Sequence, residues 1–229
     1  MRVIVVRHYR TLCNVSDEIM GWGDAPRARD WESDLAFIDN LLDQSQIQVD
    51  AIYSSYLERA RQTAMYYAKS RGAHLIIRDT AQLNEINYGT ALFRKSKAWV
   101  AKNIPWHKKD PNLVYPKGES FRQMQARSVE YILSQEDDNQ NKTILVVAHA
   151  GVIRGLVSYM LNLDFATNLS RKVSHRYIGD FQIEGGVCVR YDELGELSGF
   201  IRDGVLVRVS AESTSIHRSR DTLPYIASS

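Results

Sequence analysis

The sequence has little cysteine, little proline and no long apolar run. Cys13 and Cys188 are the two cysteines among 229 residues, which excludes a disulfide framework and a cysteine-ligated metal centre. No apolar run approaches the roughly 20 residues of a membrane-spanning helix, and the N-terminal one is too short for a secretory signal. These absences predict a cytoplasmic protein with no membrane partner.

The chain also lacks a strong excess of charge. Its 29 Lys and Arg nearly balance its 27 Asp and Glu, so the formal net charge is +2. This small excess argues against a nucleic-acid partner but allows an anionic small molecule as the ligand. Apolar residues make up 44% of the chain, which is ordinary for a globular protein long enough to bury a substantial core.

Strand and helix patterns alternate along the chain. The apolar runs at residues 3–6 and 143–148 are typical of strands buried on both faces. Shorter strand patterns occur at residues 49–53 and 74–77, with a helical pattern at 57–70 between them. Strands interleaved with helices predict an α/β protein with three α/β/α layers and a mostly parallel central sheet.

Two segments depart from this alternation. Residues 84–116 are irregular and rich in aromatic side chains, which predicts a lid-like insertion or, equally, a satellite cluster of ordinary packing. The last residues are polar and rich in serine. We therefore expect one domain over residues 1–209 and a polar C-terminal tail over residues 210–229.

The two strongest predicted strands each end in a histidine, His8 and His149. The carboxyl ends of strands in a doubly wound sheet meet at one edge, where ligands bind. Arg7 precedes His8, and Arg59 falls near the start of a predicted helix, where the macrodipole disfavours a cation. A bound anion would explain Arg59. The alternative is a solvated arginine paired with Glu58.

The chain contains, in this order, VVRHYRTLCN, SSYLERARQTA, LNEINYG and VVAHAGVIRGLV, with GWGDAP and PKGES between them. These segments resemble motifs of the histidine phosphatase (phosphoglycerate mutase-like) superfamily: R-H-G-x-[ST]-x-x-N, S-x-L-x-R-A-x-Q-T-A, L-x-E-x-x-x-G and the second-histidine motif. Together they span residues 2 to about 163. The resemblance implies that family's three-layer α/β fold, which agrees with the alternation of strands and helices.

The resemblance also implies a chemistry. His8 would attack phosphorus as the nucleophile and carry the phosphoryl group as a phosphohistidine. Arg7, Arg59 and His149 would surround the phosphoryl oxygens, where charge develops during transfer. Glu85 would protonate the leaving oxygen and later take a proton from water. No metal ion and no other cofactor is implied.

Three more residues are expected to bind substrate, and two positions depart from the family. Asn14 would donate to the phosphoryl group, and Gly21 would offer its backbone. Arg10 adds a cation that favours a substrate with a second anionic group. Tyr9 and Ala150 stand where the family usually has glycine, which matters wherever the backbone must approach a ligand closely. Tyr9 either keeps the same backbone with its side chain aimed away, or narrows the mouth of the pocket.

The function implied is a metal-independent phosphatase that hydrolyses a small phosphomonoester through a phosphohistidine. One alternative is a phosphoglycerate-type mutase, although such mutases carry a longer insertion than residues 85–118. A second alternative is a non-catalytic phospho-ligand binding or scaffold protein in which Tyr9 blocks turnover. The expected partner is a small phosphorylated substrate. The sequence also allows a homodimer.

Some polar residues have no function in these hypotheses. Lys108 and Lys109 are predicted to lie on a solvated face. His107 and His175 have no partner that the sequence reveals. We therefore expect neither pair to belong to the site.

Overall fold

The computed structural model describes residues 1–72, 75–89, 92–202 and 205–206. His74, the predicted tail at 210–229 and its boundary at 209 lie outside the described residues. Within these ranges no helix is long and apolar enough to cross a membrane.

The described strands and helices follow one another in the predicted alternation. The strands are β1 (Arg2–Arg7), β2 (Ala51–Ser55), β3 (Ile77–Thr80), β4 (Thr143–Ala148), β5 (Tyr177–Glu184), β6 (Val187–Gly195), β7 (Ile201–Arg202) and β8 (Val205–Leu206). The helices are α1 (Leu12–Val15), α2 (Trp31–Gln44), α3 (Glu58–Arg71), α4 (Lys97–Asn103), α5 (Phe121–Ser134), α6 (Ala150–Met160) and α7 (Phe165–Asn168).

The central sheet of the described residues has the strand order β3-β2-β4-β1-β5-β6. Strands β1 to β4 pair in parallel, whereas β5 joins β1, and β6 joins β5, in antiparallel fashion. Strands β7 and β8 form a separate antiparallel pair. The prediction of a mostly parallel central sheet in an α/β fold is confirmed.

Alternate residues of β1 face two different cores. Val3 and Val5 are buried together with apolar residues of α5 and α6, whereas Ile4 and Val6 are buried with those of α2 and α3. Helices therefore cover both faces of the sheet. This double burial explains the unbroken apolar run in the sequence, because neither face of the strand meets solvent.

Strands β1 and β4 are neighbours in the sheet, and Arg7 pairs with Ala148 at their carboxyl ends. The chain turns away from both strands immediately afterwards, at His8 and His149. The order β2-β4-β1 thus brings two residues separated by most of the chain to one edge, as the sequence predicted.

The predicted positions of β2 and β3 were shifted. The structure places β2 two residues later than predicted and β3 three residues later. Leu75 is buried outside the strand and Ile76 is 70% exposed, so the apolar run marks a connecting loop. Strand β3 is an edge strand of the sheet. Its parallel pairing with β2 begins at Ile77, and this pairing defines where the strand starts.

The insertion between β3 and α5 combines packing with an exposed surface. Tyr88 and Trp106 each pack against Tyr115, with ring centroids about 5 Å apart. His107 shares a hydrogen bond of 2.6 Å with the Tyr115 hydroxyl, so it does have a partner. Trp99 remains exposed. The aromatic residues therefore form a satellite core that holds the insertion against the sheet.

Candidate active site

A cavity of about 690 Å³ lies at the carboxyl ends of β1 and β4. Seven of its lining residues are cationic and four are acidic. The predicted site residues that line it are Arg7, His8, Arg10, Asn14, Gly21, Arg59 and Glu85. His149 is fully buried beside the cavity rather than on its wall.

His8 is oriented by its own turn. Its backbone N–H donates to the Ala148 carbonyl, and its Nδ1 lies 2.6 Å from the Tyr9 carbonyl oxygen. Because a carbonyl can only accept, Nδ1 carries the proton and Nε2 keeps a free lone pair. Burial, followed by Arg59 and His149, lowers the pKa of His8 well below its ordinary value. The ring is therefore a neutral imidazole at pH 7.

His149 lies directly against His8, with ring centroids 5.0 Å apart. Its Nε2 donates to Ser55 Oγ at 2.8 Å, because the Ser55 hydroxyl proton is directed to Asn84 Oδ1. Its Nδ1 is buried and has no partner among the described residues. Burial, then Arg59, lowers the pKa of His149 well below its ordinary value. The site therefore contains a second neutral imidazole, and one of its nitrogens makes no hydrogen bond within the described residues.

Arg59 stands in the first turn of α3 and is 1% exposed. Its guanidinium donates to the carbonyl oxygens of Gly21 and Gly23 at 2.8 and 2.7 Å, and it pairs with Asp24 at 3.0 Å. The partner is thus a carboxylate of the GWGD turn and not Glu58. The GWGD turn therefore stabilises a buried cation beside the cavity. Without these partners, the macrodipole of α3 would disfavour a cation at the start of the helix.

Arg7 ends β1 and is half-buried in the cavity wall. Its Nη1 donates to the Val173 carbonyl at 2.6 Å, and its Nε is buried without a partner in the described part of the chain. Burial, with Arg154 as the next cause, lowers the pKa of Arg7 to about 9. Arg7 remains a cation at pH 7, with donor capacity left for an anion.

Glu85 is positioned by two backbone groups. Its Oε1 accepts from the N–H of Ile86 at 3.0 Å, and its Oε2 accepts from the N–H of Gly151 at 3.1 Å. A Cβ on Gly151 would lie 2.1 Å from Glu85 Oε1, closer than real Cβ contacts. The first turn of α6 therefore needs glycine at this position so that the carboxylate can approach it.

The expected substrate-binding residues differ in which of their hydrogen-bonding groups lack a partner within the described residues. Asn14 accepts at Oδ1 from the Thr11 N–H at 3.0 Å, which leaves its Nδ2 without a partner among the described residues. The Gly21 carbonyl is used by Arg59. Arg10 lines the cavity, but its guanidinium lies 2.8 Å from the buried Asp34 carboxylate. Asn14 therefore has its predicted donor available, whereas the Gly21 carbonyl and one guanidinium nitrogen of Arg10 are already engaged.

Tyr9 turns its side chain away from the cavity. It is 4% exposed and packs edge-to-face on Trp31, at 5.3 Å, in the core beneath α2 and α3. Neither Tyr9 nor Ala150 has a positive φ, so the glycine that the family usually has is not needed for the backbone here. Of the two alternatives for Tyr9, the structure shows the side chain aimed away. The Tyr9 side chain therefore does not narrow the mouth of the cavity.

Three residues of the site were missed by the sequence analysis. His175 lines the cavity, and its Nδ1 lies 2.7 Å from the His8 carbonyl oxygen. Lys108 lines the cavity and is half-buried, so its prediction as a solvated lysine was wrong, whereas Lys109 is exposed. Arg154 also lines the cavity. Arg154 could have been found, since it lies one helical turn after Ala150 on the same face of α6.

The described residues contain no group of three or more His, Cys, Asp or Glu side chains placed to hold a metal ion. The reactive groups in and beside the cavity include neutral histidines, guanidinium groups and the carboxylate of Glu85.

The family model of the histidine phosphatase superfamily (branch 1) matches residues 3–189, which is most of the chain. The chain belongs to the histidine phosphatase superfamily. The matched range contains His8, Arg59, Glu85 and His149.

Relatives within the superfamily carry two kinds of name. A 2,3-bisphosphoglycerate-dependent phosphoglycerate mutase of Bartonella tribocorum is 24% identical over 179 residues, which cover 75% of this chain and 87% of the relative. A mycobacterial glucosyl-3-phosphoglycerate phosphatase, solved with VO3, superposes with a TM-score of 0.71 at 22% identity, over 85% of this chain and 97% of that one. An alpha-ribazole phosphatase from Shigella flexneri gives 0.69 at 22% identity, over 82% and 93%. The structural matches show the shared fold.

Proposed function

We propose that this protein is a phosphatase that hydrolyses a small phosphomonoester through a phosphohistidine on His8. The observation that carries the proposal is the state of the His8 ring. It is neutral, its Nδ1–H is held by the Tyr9 carbonyl, and its Nε2 lone pair is free in a cavity lined by Arg7 and Arg59. A fixed neutral imidazole beside two guanidinium groups suits nucleophilic attack on a phosphate dianion.

In the first step, His8 Nε2 forms a bond to phosphorus as the ester P–O bond breaks. Glu85, in its protonated form, gives its proton to the leaving oxygen, so the leaving group departs as a neutral alcohol. In the second step, Glu85 as a carboxylate takes a proton from water, the water oxygen bonds to phosphorus, and the P–N bond breaks. Inorganic phosphate leaves, and His8 is neutral again.

Charge on the transferred group is offset by fixed donors. Arg7 and Arg59 supply two cations, and the free Nδ2 of Asn14 supplies a neutral donor. We assign to His149 a role through Nδ1, its nitrogen without a partner. An adjacent anion offsets the burial that lowers the His149 pKa, so this ring gains a proton when the phosphoryl group binds.

A phosphoglycerate mutase is the second candidate, because the sequence relatives carry that name. The two reactions share the phosphohistidine and differ in what accepts the phosphoryl group. A phosphatase transfers it to water, whereas a mutase returns it to a bound phosphoglycerate. Release of inorganic phosphate from 3-phosphoglycerate, against its conversion to 2-phosphoglycerate, distinguishes them.

The test is hydrolysis of p-nitrophenyl phosphate in excess chelator, with rapid quenching in alkali, where a phosphohistidine survives. We expect turnover without added metal and a phosphate adduct on the peptide that contains His8. His8→Ala should abolish both. His217→Ala removes a histidine that the mechanism does not use and should leave both unchanged.

The outcomes separate the candidates. Loss of activity in chelator that magnesium or zinc restores would refute the metal-independent mechanism. Phosphate binding with no adduct and no turnover would support the scaffold alternative. A His8→Ala variant that keeps most of the activity of a normally active wild type would refute the assignment of the nucleophile.

A further inference from the structure

Arg127 belongs to α5 and does not line the cavity, yet its side chain reaches the segment that carries Glu85. Its Nη1 and Nη2 donate to four main-chain carbonyl oxygens of that segment. The acceptors, at 3.3, 2.6, 2.8 and 3.1 Å, are Ala81, Gln82, Asn84 and Glu85. One side chain therefore fixes the main chain at Glu85 and over the four residues before it.

Glu119 sets the orientation of the Arg127 guanidinium. The Nε and Nη2 groups of Arg127 donate to the two carboxylate oxygens of Glu119 at 2.9 and 2.7 Å, which is a bidentate pair. Glu119 Oε1 also accepts from the N–H of Asn87 at 2.8 Å, and the Glu119 N–H donates to the Asn87 carbonyl at 2.9 Å. The pair thus holds the chain on both sides of Glu85, and all three guanidinium nitrogens are engaged.

The side chain of Asn84 attaches the same segment to β2. Its Oδ1 accepts from the Ser55 hydroxyl at 2.8 Å and from the Tyr56 N–H at 3.0 Å. These two contacts do not involve Arg127, so they would remain in its absence. What Arg127 adds is therefore the position of Glu85 and of the residues that follow it.

The Glu85 carboxylate has to keep one position through both proposed steps, first as the acid and then as the base. Its own contacts are N–H groups of Ile86 and Gly151. Its main-chain carbonyl is held by Arg127 and by the Trp22 indole, which donates to it at 2.6 Å. A displacement of a catalytic group by about 1 Å can cost about 10²-fold in rate, so the fixing of this main chain matters for proton transfer.

Resting on the proposed function, we propose that Arg127 is a positioning residue that places Glu85 for proton transfer without touching the substrate. A guanidinium suits this role because its planar set of N–H groups meets several carbonyls at fixed angles, which the ammonium of lysine does not. Loss of Arg127 should then weaken proton transfer to the leaving oxygen and leave the attack by His8 intact.

The test measures kcat for glycerol 3-phosphate and for p-nitrophenyl phosphate with the full chain. The alkyl leaving group needs a proton, whereas nitrophenolate needs little protonation. The proteins compared are wild type, Arg127→Met, Glu85→Gln and the double variant. Arg122→Met is the matched control, because Arg122 lies on the same helix and contacts Gln125 and Phe165 instead of the Glu85 segment.

We expect Arg127→Met to lower kcat about 10²-fold for glycerol 3-phosphate and no more than about fivefold for p-nitrophenyl phosphate. Turnover of the aryl ester also shows that the variant folds. In the double variant, the loss on the alkyl ester should be close to that of Glu85→Gln alone, because both changes remove one function. Arg122→Met should stay within about twofold of wild type on both esters.

Arg127→Lys keeps the positive charge but has one donor nitrogen in place of three. It should show the same selective loss on the alkyl ester, and it takes the place of Arg127→Met if that variant does not fold. Activity equal to wild type in Arg127→Lys would show that the charge alone suffices, and would overturn the proposal.

Two further results would overturn it: an equal loss on both esters, which a general loss of structure produces, or losses that multiply in the double variant. If wild type hydrolyses neither ester, or if Glu85→Gln shows no dependence on the leaving group, the proposed function fails instead. Positioning by Arg127 is then judged from hydrogen–deuterium exchange of the peptide spanning residues 81–88. This exchange should be faster in Arg127→Met than in Arg122→Met, and equal exchange would refute the role of Arg127.

Discussion

The Nδ1 of His175 lies 2.7 Å from the main-chain carbonyl oxygen of His8. The two rings meet edge-to-face with centroids 5.5 Å apart. Burial, followed by Arg7, lowers the pKa of His175 to about 2, so it stays neutral and donates from Nδ1. The loop before β5 thus holds the turn that presents His8, the proposed nucleophile.

We predict that His175→Leu lowers kcat by about 10²-fold, because small displacements of reacting groups have effects of that size. His175→Asn should recover most of the activity, since its amide can donate to the same carbonyl. The measurement is the rate of phosphohistidine formation in a single turnover. Equal rates in the two variants would show that the hydrogen bond does not position His8.

Gly151→Ala should displace Glu85, because the new Cβ would lie 2.1 Å from Glu85 Oε1. Gly155→Ala is the matched control on the same helix, where a Cβ would make ordinary contacts of 3.4 Å with Gln125. We expect kcat for an alkyl phosphate to fall by about 10²-fold or more in Gly151→Ala. Gly155→Ala should stay within a few-fold of wild type. Similar kcat values in both variants would contradict the close approach of Glu85 to α6.

Glu85→Gln should slow substrates according to their leaving group. The amide fills the same space but cannot donate and recover a proton, an effect typically worth about 10²–10⁴-fold. An alkyl phosphate should lose this much, whereas p-nitrophenyl phosphate, whose leaving group needs little protonation, should lose less. Steady-state kcat for the two esters checks this. A uniform loss would indicate another acid.

The buried neutral histidines should make unfolding depend on pH. The pKa of His175 is lowered on folding, so below the ordinary value of about 6.5 the unfolded chain binds a proton that the folded chain does not. Its contribution to stability is therefore complete above pH 6.5 and is lost as the pH falls.

Urea unfolding at pH 7.5 and pH 5.5 tests this difference. Between these values, wild type should lose about 1.4 kcal/mol more unfolding free energy than His175→Asn, which has no such group to titrate. Because both proteins contain the same carboxylates, the contribution of these groups to the pH dependence cancels in the comparison. Identical losses would mean that folding does not lower the pKa of His175.

The sequence by itself determined the two central strands and the pair of histidines that follows them. Apolar runs as long as those of β1 and β4 favour strands buried on both faces, so both strands were predictable, and so was the meeting of His8 and His149 at one edge. Glu85 and Asn14 came from the family resemblance of their motifs, whereas Arg59 also stands out by its position at a predicted helix start. Each strand pattern and each motif is local, because it depends on the order of residues within about ten positions.

Tertiary structure alone decided which groups are compensated and which are free. The pairing of Arg59 with Asp24, the placement of Lys108 on the cavity wall and the bond from His175 to His8 all join distant segments. A lysine in a polar stretch has the same local pattern whether it faces solvent or a cavity. Which of the two occurs depends on how the insertion packs against the sheet. The hydrophobic periodicity of the local sequence does not encode that packing.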